Sequence, residues 1–183
     1  FKNLEAYKRL LFSREKSAYV FSELNEKSLA LASSIKKENK KCTLIFTNVG
    51  EANDEKSLLL KKTAFELGAV SFFDDIAAMS FRLINKNSPI YFFTVSSDEE
   101  KNTDRALKLI EKYKSRKNSY LYVFSAKPEA ELLFSRIESS EMKIRRVNEV
   151  QSLVYGDLYK NGYPLIFESA SEAEGCKKIS AVI

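Results

Sequence analysis

A doubly wound α/β fold, with a mostly parallel six-stranded sheet and helices on both faces, is predicted by three features of this sequence. Short β-rich apolar runs alternate with amphipathic segments from residue 17 to about residue 160. The runs are apolar at nearly every position, as strands are when both sheet faces are covered. The segments between them are long enough for the right-handed helical crossovers that parallel pairing requires.

In chain order, Phe1 to Lys16 sets Phe1, Leu4, Tyr7, Leu11 and Phe12 among charges at roughly helical spacing. This segment is either an arm entering the domain from upstream or a helix packed on its own domain. Ala18–Phe21 is the first strand. Asn25 to Lys37 is a helix with Leu29, Ala32 and Ile35 on one face, and Asn25 or Ser22 is placed to cap it. Thr43–Phe46 is the second strand, Asp54 to Leu67 a helix, and Gly68 its C-terminal stop. Val70 to Phe73 is expected as a third strand and Ile76 to Ile84 as a third helix. After Pro89 come a strand over Ile90 to Val95 and a long helix over Asp98 to Tyr113, which turns Ala106, Leu109, Ile110 and Tyr113 inward. Tyr120 to Phe124 is the fifth strand. Pro128 suits the first turn of a helix reaching about Ile137. Lys143 to Val147 is a sixth strand and Glu149 to Tyr159 a last helix, closed by Asn161, Gly162 and Pro164. The expected strand order is 3-2-1-4-5-6, the Rossmann-like order. Residues 1–16 read as an N-terminal arm, 17–160 as the domain and 161–183 as a linker. The ending Ser180 to Ile183 reads as the start of a further strand, so a longer protein is expected.

Composition narrows the function classes. The 183 residues are 44% hydrophobic and 30% charged, as in ordinary folded proteins. No apolar run approaches the ~20 residues of a membrane helix, and Phe1 to Arg14 lacks the pattern of a signal peptide. There is no histidine, so Ser-His-Asp and Cys-His catalysis are excluded. Cys42 opens an apolar run and reads as a small core residue, and its spacing from Cys176 suggests neither zinc nor redox work. The net charge of +5 is scattered. Lys36, Lys37, Lys40 and Lys41, and then Lys114, Arg116 and Lys117, stand at helix C-termini, where cations complement the helix dipole. No nucleic-acid partner is expected.

In this fold ligands sit outside the carboxyl ends of the strands, where the strand order reverses. The first loop there, Ser22 to Ser28, contains no glycine. A pyrophosphate-binding turn uses glycines for close backbone approach, and Glu23 and Glu26 oppose a phosphate at the following helix N-terminus. The second strand ends at Thr47-Asn48 rather than at an acidic residue, so Asn48 is the candidate for a ribose hydroxyl. Asp74 and Asp75 read as a helix cap ahead of a cation site. Ser96, Ser97 and Asp98 read as a cap for the long helix. The aromatics Tyr91, Phe92, Phe93, Tyr120 and Tyr122 read as core. Topology gathers Ser22, Asn25, Asn48 and Asp74 around one crevice, either as a ligand site or as caps and turns.

Three segments resemble a known family. Tyr19 to Ala32 (YVFSELNEKSLALA) is similar to the opening of a TrkA-N, or RCK-type, domain. Ile90 to Asn102 (IYFFTVSSDEEKN) resembles the family's fourth strand, acidic turn and helical asparagine. Phe72 to Ile76 (FFDDI) resembles its third strand and turn. The resemblance implies a cytoplasmic, non-catalytic regulatory domain of a potassium channel or transporter that forms homodimers or higher homo-oligomers. It implies ligand contacts from Ser22, Glu23, Leu24 and Asn25 in the first loop, then Asn48, Asp74, Thr94 and Ser96. The expected ligand is NAD, another nucleotide or an unidentified small molecule. The alternatives are an assembly module that takes no small ligand and, further off, an NAD-dependent oxidoreductase.

Overall fold

The structure, a computed structural model, describes residues 3–147 apart from 13–15, 52–53, 82–83, 86, 128, 130–132, 135–136 and 138–140. Six parallel strands form one sheet: β1 (Ala18–Phe21), β2 (Thr43–Phe46), β3 (Val70–Ser71), β4 (Ile90–Thr94), β5 (Ser119–Phe124) and β6 (Lys143–Val147). Their order is β3-β2-β1-β4-β5-β6, so the architecture is doubly wound α/β and Rossmann-like, with the reversal between β1 and β4. Ala18 pairs with both Thr43 and Ile90, and Phe21 with both Phe46 and Phe93. The three central strands are therefore in level register, with β4 running one residue further to Thr94. Four helices are described: α1 (Leu4–Phe12), α2 (Glu26–Glu38), α3 (Glu55–Glu66) and α4 (Glu99–Tyr113).

Strand alternation divides the core in two. Val20, Ile45, Phe92 and Leu121 enter one apolar cluster with Ala106, Leu109, Ile110 and Tyr113 of α4. Phe21, Phe46, Phe93 and Phe124 enter the other with Ala32 of α2 and Ala64 of α3. Phe21 stacks on both Phe46 and Phe93 at centroid distances of 5.1 and 4.9 Å. Of the five strand aromatics expected in the core, Phe92 and Phe93 are buried, while Tyr91, Tyr120 and Tyr122 are half-buried. Cys42 is a free, buried thiol.

Helix ends follow their sequence signals. Asn25, Asp54 and Asp98 cap α2, α3 and α4 with side-chain acceptors. Gly68 adopts φ +72°, and the Gly68 and Ala69 N–H groups donate to Phe65 and Ala64 carbonyls. This paired closure needs the left-handed residue that glycine supplies.

Two expectations fail, for related reasons. The third strand is only Val70–Ser71, and among the described residues from Ile76 to Ile84 there is a turn at Ile76–Ala78 and no helix. The backbone groups of that segment find tertiary partners: Phe81 N–H donates to the Tyr113 hydroxyl, and Lys112 Nζ donates to the carbonyls of Ala77, Ala78 and Met79. Ile76, Met79, Phe81 and Ile84 are all buried, so an irregular path buries the apolar set that a helix would have shown on one stripe. The space a crossover helix would cover is shared with α1. Ala6 and Leu10 belong to the same cluster as Phe72 and Ile76, and Tyr7 meets Phe72 edge-on at 5.0 Å. Residues 4–12 are therefore a helix packed on their own domain.

Of the helix expected from Pro128 to Ile137, Glu129, Leu133 and Phe134 are helical, while Ile137 lies outside a helix. The helix expected over 149–159 and the strand at 179–183 lie outside the described residues. Among the described residues no helix is long and apolar enough to cross a membrane.

Docking of α1 has a direct consequence for stability. Leu10→Ala is expected to lower unfolding free energy by about 2–5 kcal/mol, because Leu10 is buried. Leu11→Ala, at a 59% exposed position of the same helix, should change it by about 0.5 kcal/mol or less. Urea unfolding of the two variants reads the difference, and equal effects would mean that α1 does not pack on this core.

Candidate functional site

The floor of the site is set by the carboxyl ends of β1 and β4. Ser22 follows β1 and is fully buried. Its N–H donates to the Phe93 carbonyl at 2.9 Å, and its Oγ accepts from Val95 N–H at 2.9 Å. The last ladder bonds of two strands are thus continued by one serine. Thr94, at the end of β4, is also fully buried, and its Oγ1 has no hydrogen-bond partner. An unmade bond of this kind costs about 1–3 kcal/mol.

The first loop and the N-terminus of α2 are closed on themselves. Asn25 Oδ1 accepts from Ser28 N–H, and Ser28 Oγ accepts from Asn25 N–H, both at 2.9 Å. This reciprocal cap uses donors that a phosphate would otherwise take. Asn25 Nδ2 also donates to the Val95 carbonyl at 2.9 Å, tying the loop after β1 to the loop after β4. Leu24 packs against the cluster beneath α2 and supplies apolar anchorage.

Across the crevice lies an ion triad. Arg105, from α4, donates through Nη1 to Glu23 Oε1 and through Nε to Asp75 Oδ2, both at 2.7 Å. The Arg105 side chain is 7% exposed, against 22% for Glu23 and 37% for Asp75. Burial works against the guanidinium charge, but the bonds from Glu23 and Asp75 outweigh it and hold Arg105 above its ordinary pKa. Asp75 Oδ1 also accepts from Ala77 N–H, so Asp75 orders the turn that replaces the expected helix.

Asn48 and Asp74 stand apart from this arrangement. Both are exposed. Asn48 has φ +51°, a turn conformation that asparagine tolerates, and its N–H donates to the Asp74 carbonyl at 2.8 Å. The Asp74 carboxylate accepts from Asn3 Nδ2 at 2.6 Å. Asp74 therefore holds α1 in place; it caps no helix. Ser96 is buried and belongs to the base of α4: its N–H donates to Asn102 Oδ1, and Asn102 Nδ2 donates to the carbonyls of Ser96 and Phe124. Asp98 caps the same helix. Backbone N–H groups, Lys101 first, favour its ionised form and hold its pKa below the ordinary aspartate value.

Of the eight expected positions, Ser22, Glu23, Asn25, Thr94 and Ser96 stand at the carboxyl ends of β1 and β4, Leu24 lies beneath, and Asn48 and Asp74 form the neighbouring turn. Arg105, and the role of Asp75 as its partner, were not read from the sequence. The signal was there: Asn102 and Arg105 flank the apolar stripe Ala106, Leu109, Ile110 and Tyr113 on a helix, where a polar residue needs a buried partner. Among the described residues no cluster of three or more His, Cys, Asp or Glu side chains is placed to hold a metal ion.

The fold and this site define a doubly wound α/β domain whose switch-point crevice is bridged by its own side chains. In comparisons with known proteins, the chain matches no family model, no curated protein and no solved structure.

Two stability effects follow. Asn25→Ala removes the cap and the link to Val95, and should cost about 0.5–2 kcal/mol in urea unfolding. Asn48→Ala should cost more than a surface substitution through strain at its positive φ, whereas Asn48→Gly should be tolerated. A second expectation concerns acid. Folding favours ionised Asp98, so its stabilisation is full above the ordinary aspartate pKa and disappears as pH falls through the lowered folded-state value. An NMR titration of the Asp98 carboxyl, with a midpoint below that of an unfolded peptide, checks this.

Proposed function

We propose that this chain is a non-catalytic regulatory domain, of RCK-type character and serving a larger ion-transport protein, whose nucleotide crevice is held shut by its own residues. The supporting observation is Arg105, held at 2.7 Å by both Glu23 and Asp75 across the carboxyl ends of the strands. In a dinucleotide-binding relative of this fold, the loop after the first strand and the following helix N-terminus face the pyrophosphate. Here that helix N-terminus is engaged by Asn25 and the loop carries a carboxylate committed to arginine. A regulatory ligand acts by favouring one of two arrangements, and the triad supplies a contact that an incoming ligand would have to exchange. The cytoplasmic, potassium-linked part of the reading is supported by the resemblance of residues 19–32, 72–76 and 90–102.

A second reading, an assembly module without a small ligand, is favoured by one specific observation: Ser22, Asn25 and Asn102 are all hydrogen-bonded within the chain. Titration calorimetry separates the readings. NAD, NADH and ATP are expected to bind more weakly than about 1 mM, that is, with less than about 4 kcal/mol. Low-micromolar NAD binding would overturn the closed crevice. A thermal-shift screen against metabolites then decides between regulation and assembly. A hit that stabilises wild type but not Arg105→Met supports the regulatory reading, and no hit supports the module.

A further inference from the structure

The two most exposed large apolar side chains of the described residues, Phe65 and Leu59, lie on α3, and Leu58 joins them there. Phe65 is 73% exposed, Leu59 62% and Leu58 50%. Leu58 and Phe65 are seven residues apart, so they lie on one stripe of the helix, with the exposed Lys62 between them and Lys61 beside it. A second exposed apolar pair lies elsewhere. Leu107 of α4 and Leu133 of the β5–β6 connection, 42% and 47% exposed, line an open groove of about 360 Å³. Its rim carries Glu99, Glu100, Asp104 and Glu129 against one lysine, Lys127; Asp104 also pairs with Lys108.

The two surfaces cannot meet within one molecule. The Ala64 side of α3 packs on one apolar cluster and the Ala106 side of α4 on the other, so the two helices cover opposite sides of the sheet. Nor does either surface suit itself. Lys61 and Lys62 fall near the middle of α3, so a two-fold pairing of two α3 helices would set four lysines about the axis. A two-fold pairing of two grooves would oppose their carboxylates. Like charges brought together at an interface are costly, whereas opposite charges set its register.

We infer that the α3 face of one copy seats in the Leu107–Leu133 groove of another, with Leu58 and Phe65 against the leucines and Lys62 toward the acidic rim. Such a contact is head-to-tail: each copy has one surface of each kind left for the next. It therefore builds a ring or an open row rather than a two-fold dimer. This inference stands independently of whether the crevice takes a ligand.

The test is sedimentation equilibrium of the full 183-residue chain with charge-reversed variants, each checked for folding by circular dichroism and melting. Wild type is expected to show a mass rising with concentration beyond that of a dimer. Lys62→Glu and Glu100→Lys should each weaken association by about tenfold or more. An equimolar mixture of the two variants should recover it, because the carboxylate placed at position 62 of one then faces the ammonium placed at position 100 of the other; the double variant on one chain should recover it as well. Phe65→Ser should weaken association with no rescue by either partner. A monomeric mass up to the solubility limit would overturn the inference. So would association that stops at the dimer, is unmoved by both reversals, or is lost in the single variants without recovery in the mixture.

Discussion

An all-parallel sheet has two apolar faces, and both must be covered; this requirement organises the rest of the molecule. The strands alternate so that Val20, Ile45 and Phe92 point to one side and Phe21, Phe46 and Phe93 to the other. On the second side α2 and α3 provide cover through ordinary crossovers. On the first, the connection from β3 to β4 contributes five buried apolar residues, and α1 completes the layer with Ala6 and Leu10. The N-terminal helix joins the core on the side where the described residues of the crossover supply no helix.

The same economy governs the carboxyl ends of the strands. Parallel strands that end side by side leave unpaired backbone groups at the reversal of strand order, and these groups need partners. In a ligand-binding domain of this fold, part of that demand is met by the bound molecule. In this chain Ser22 accepts from Val95, Asn25 donates to the Val95 carbonyl, and Asn102 donates to Ser96 and Phe124. Thr94 Oγ1 is the buried side-chain oxygen there without a partner. The ion triad adds charge complementarity: two partly exposed carboxylates neutralise one nearly buried guanidinium. Breaking such a pair by removing one member usually costs more than the pair contributes, so the triad fixes one arrangement of the crevice more than it adds to stability.

What could be read from the sequence was whatever short-range chemistry decides. Five of the six strands were bounded to within one residue, because turn residues and apolar runs mark them directly, and α2 and α4 were found with their caps and α3 with its stop at Gly68. The strand order followed from the alternation. The segment 76–84 misled because its apolar spacing suits a helix, while its backbone is satisfied by Lys112 and Tyr113, some thirty residues away. Only the folded chain places those partners. The site was legible in the same uneven way. Ser22 and Asn25 announced themselves as strand end and cap. Arg105 meets Glu23 across 82 positions and Asp75 across 30, and no local pattern encodes such distances.

The two departures from the expected fold converge on one place. Because Ile76–Ala78 form a turn ordered by Asp75, the triad is joined to that turn rather than to a rigid helix. Because α1 packs here, Asn3 reaches the same loop: its Nδ2 donates to Asp74 and its Oδ1 accepts from Phe73 N–H at 3.0 Å. Asp74 and Asp75 are neighbours, so one peptide link separates the contact that holds α1 from the contact that holds Arg105. A displacement of α1 would pull on the carboxylate side of the triad. Release of Arg105 would in turn loosen the loop that α1 grips. Any coupling carried this way would be reciprocal, as linkage between two sites must be. The short loop at Phe73–Asp75 is held by hydrogen bonds from both sides, from Asn3 on one and from Arg105 on the other.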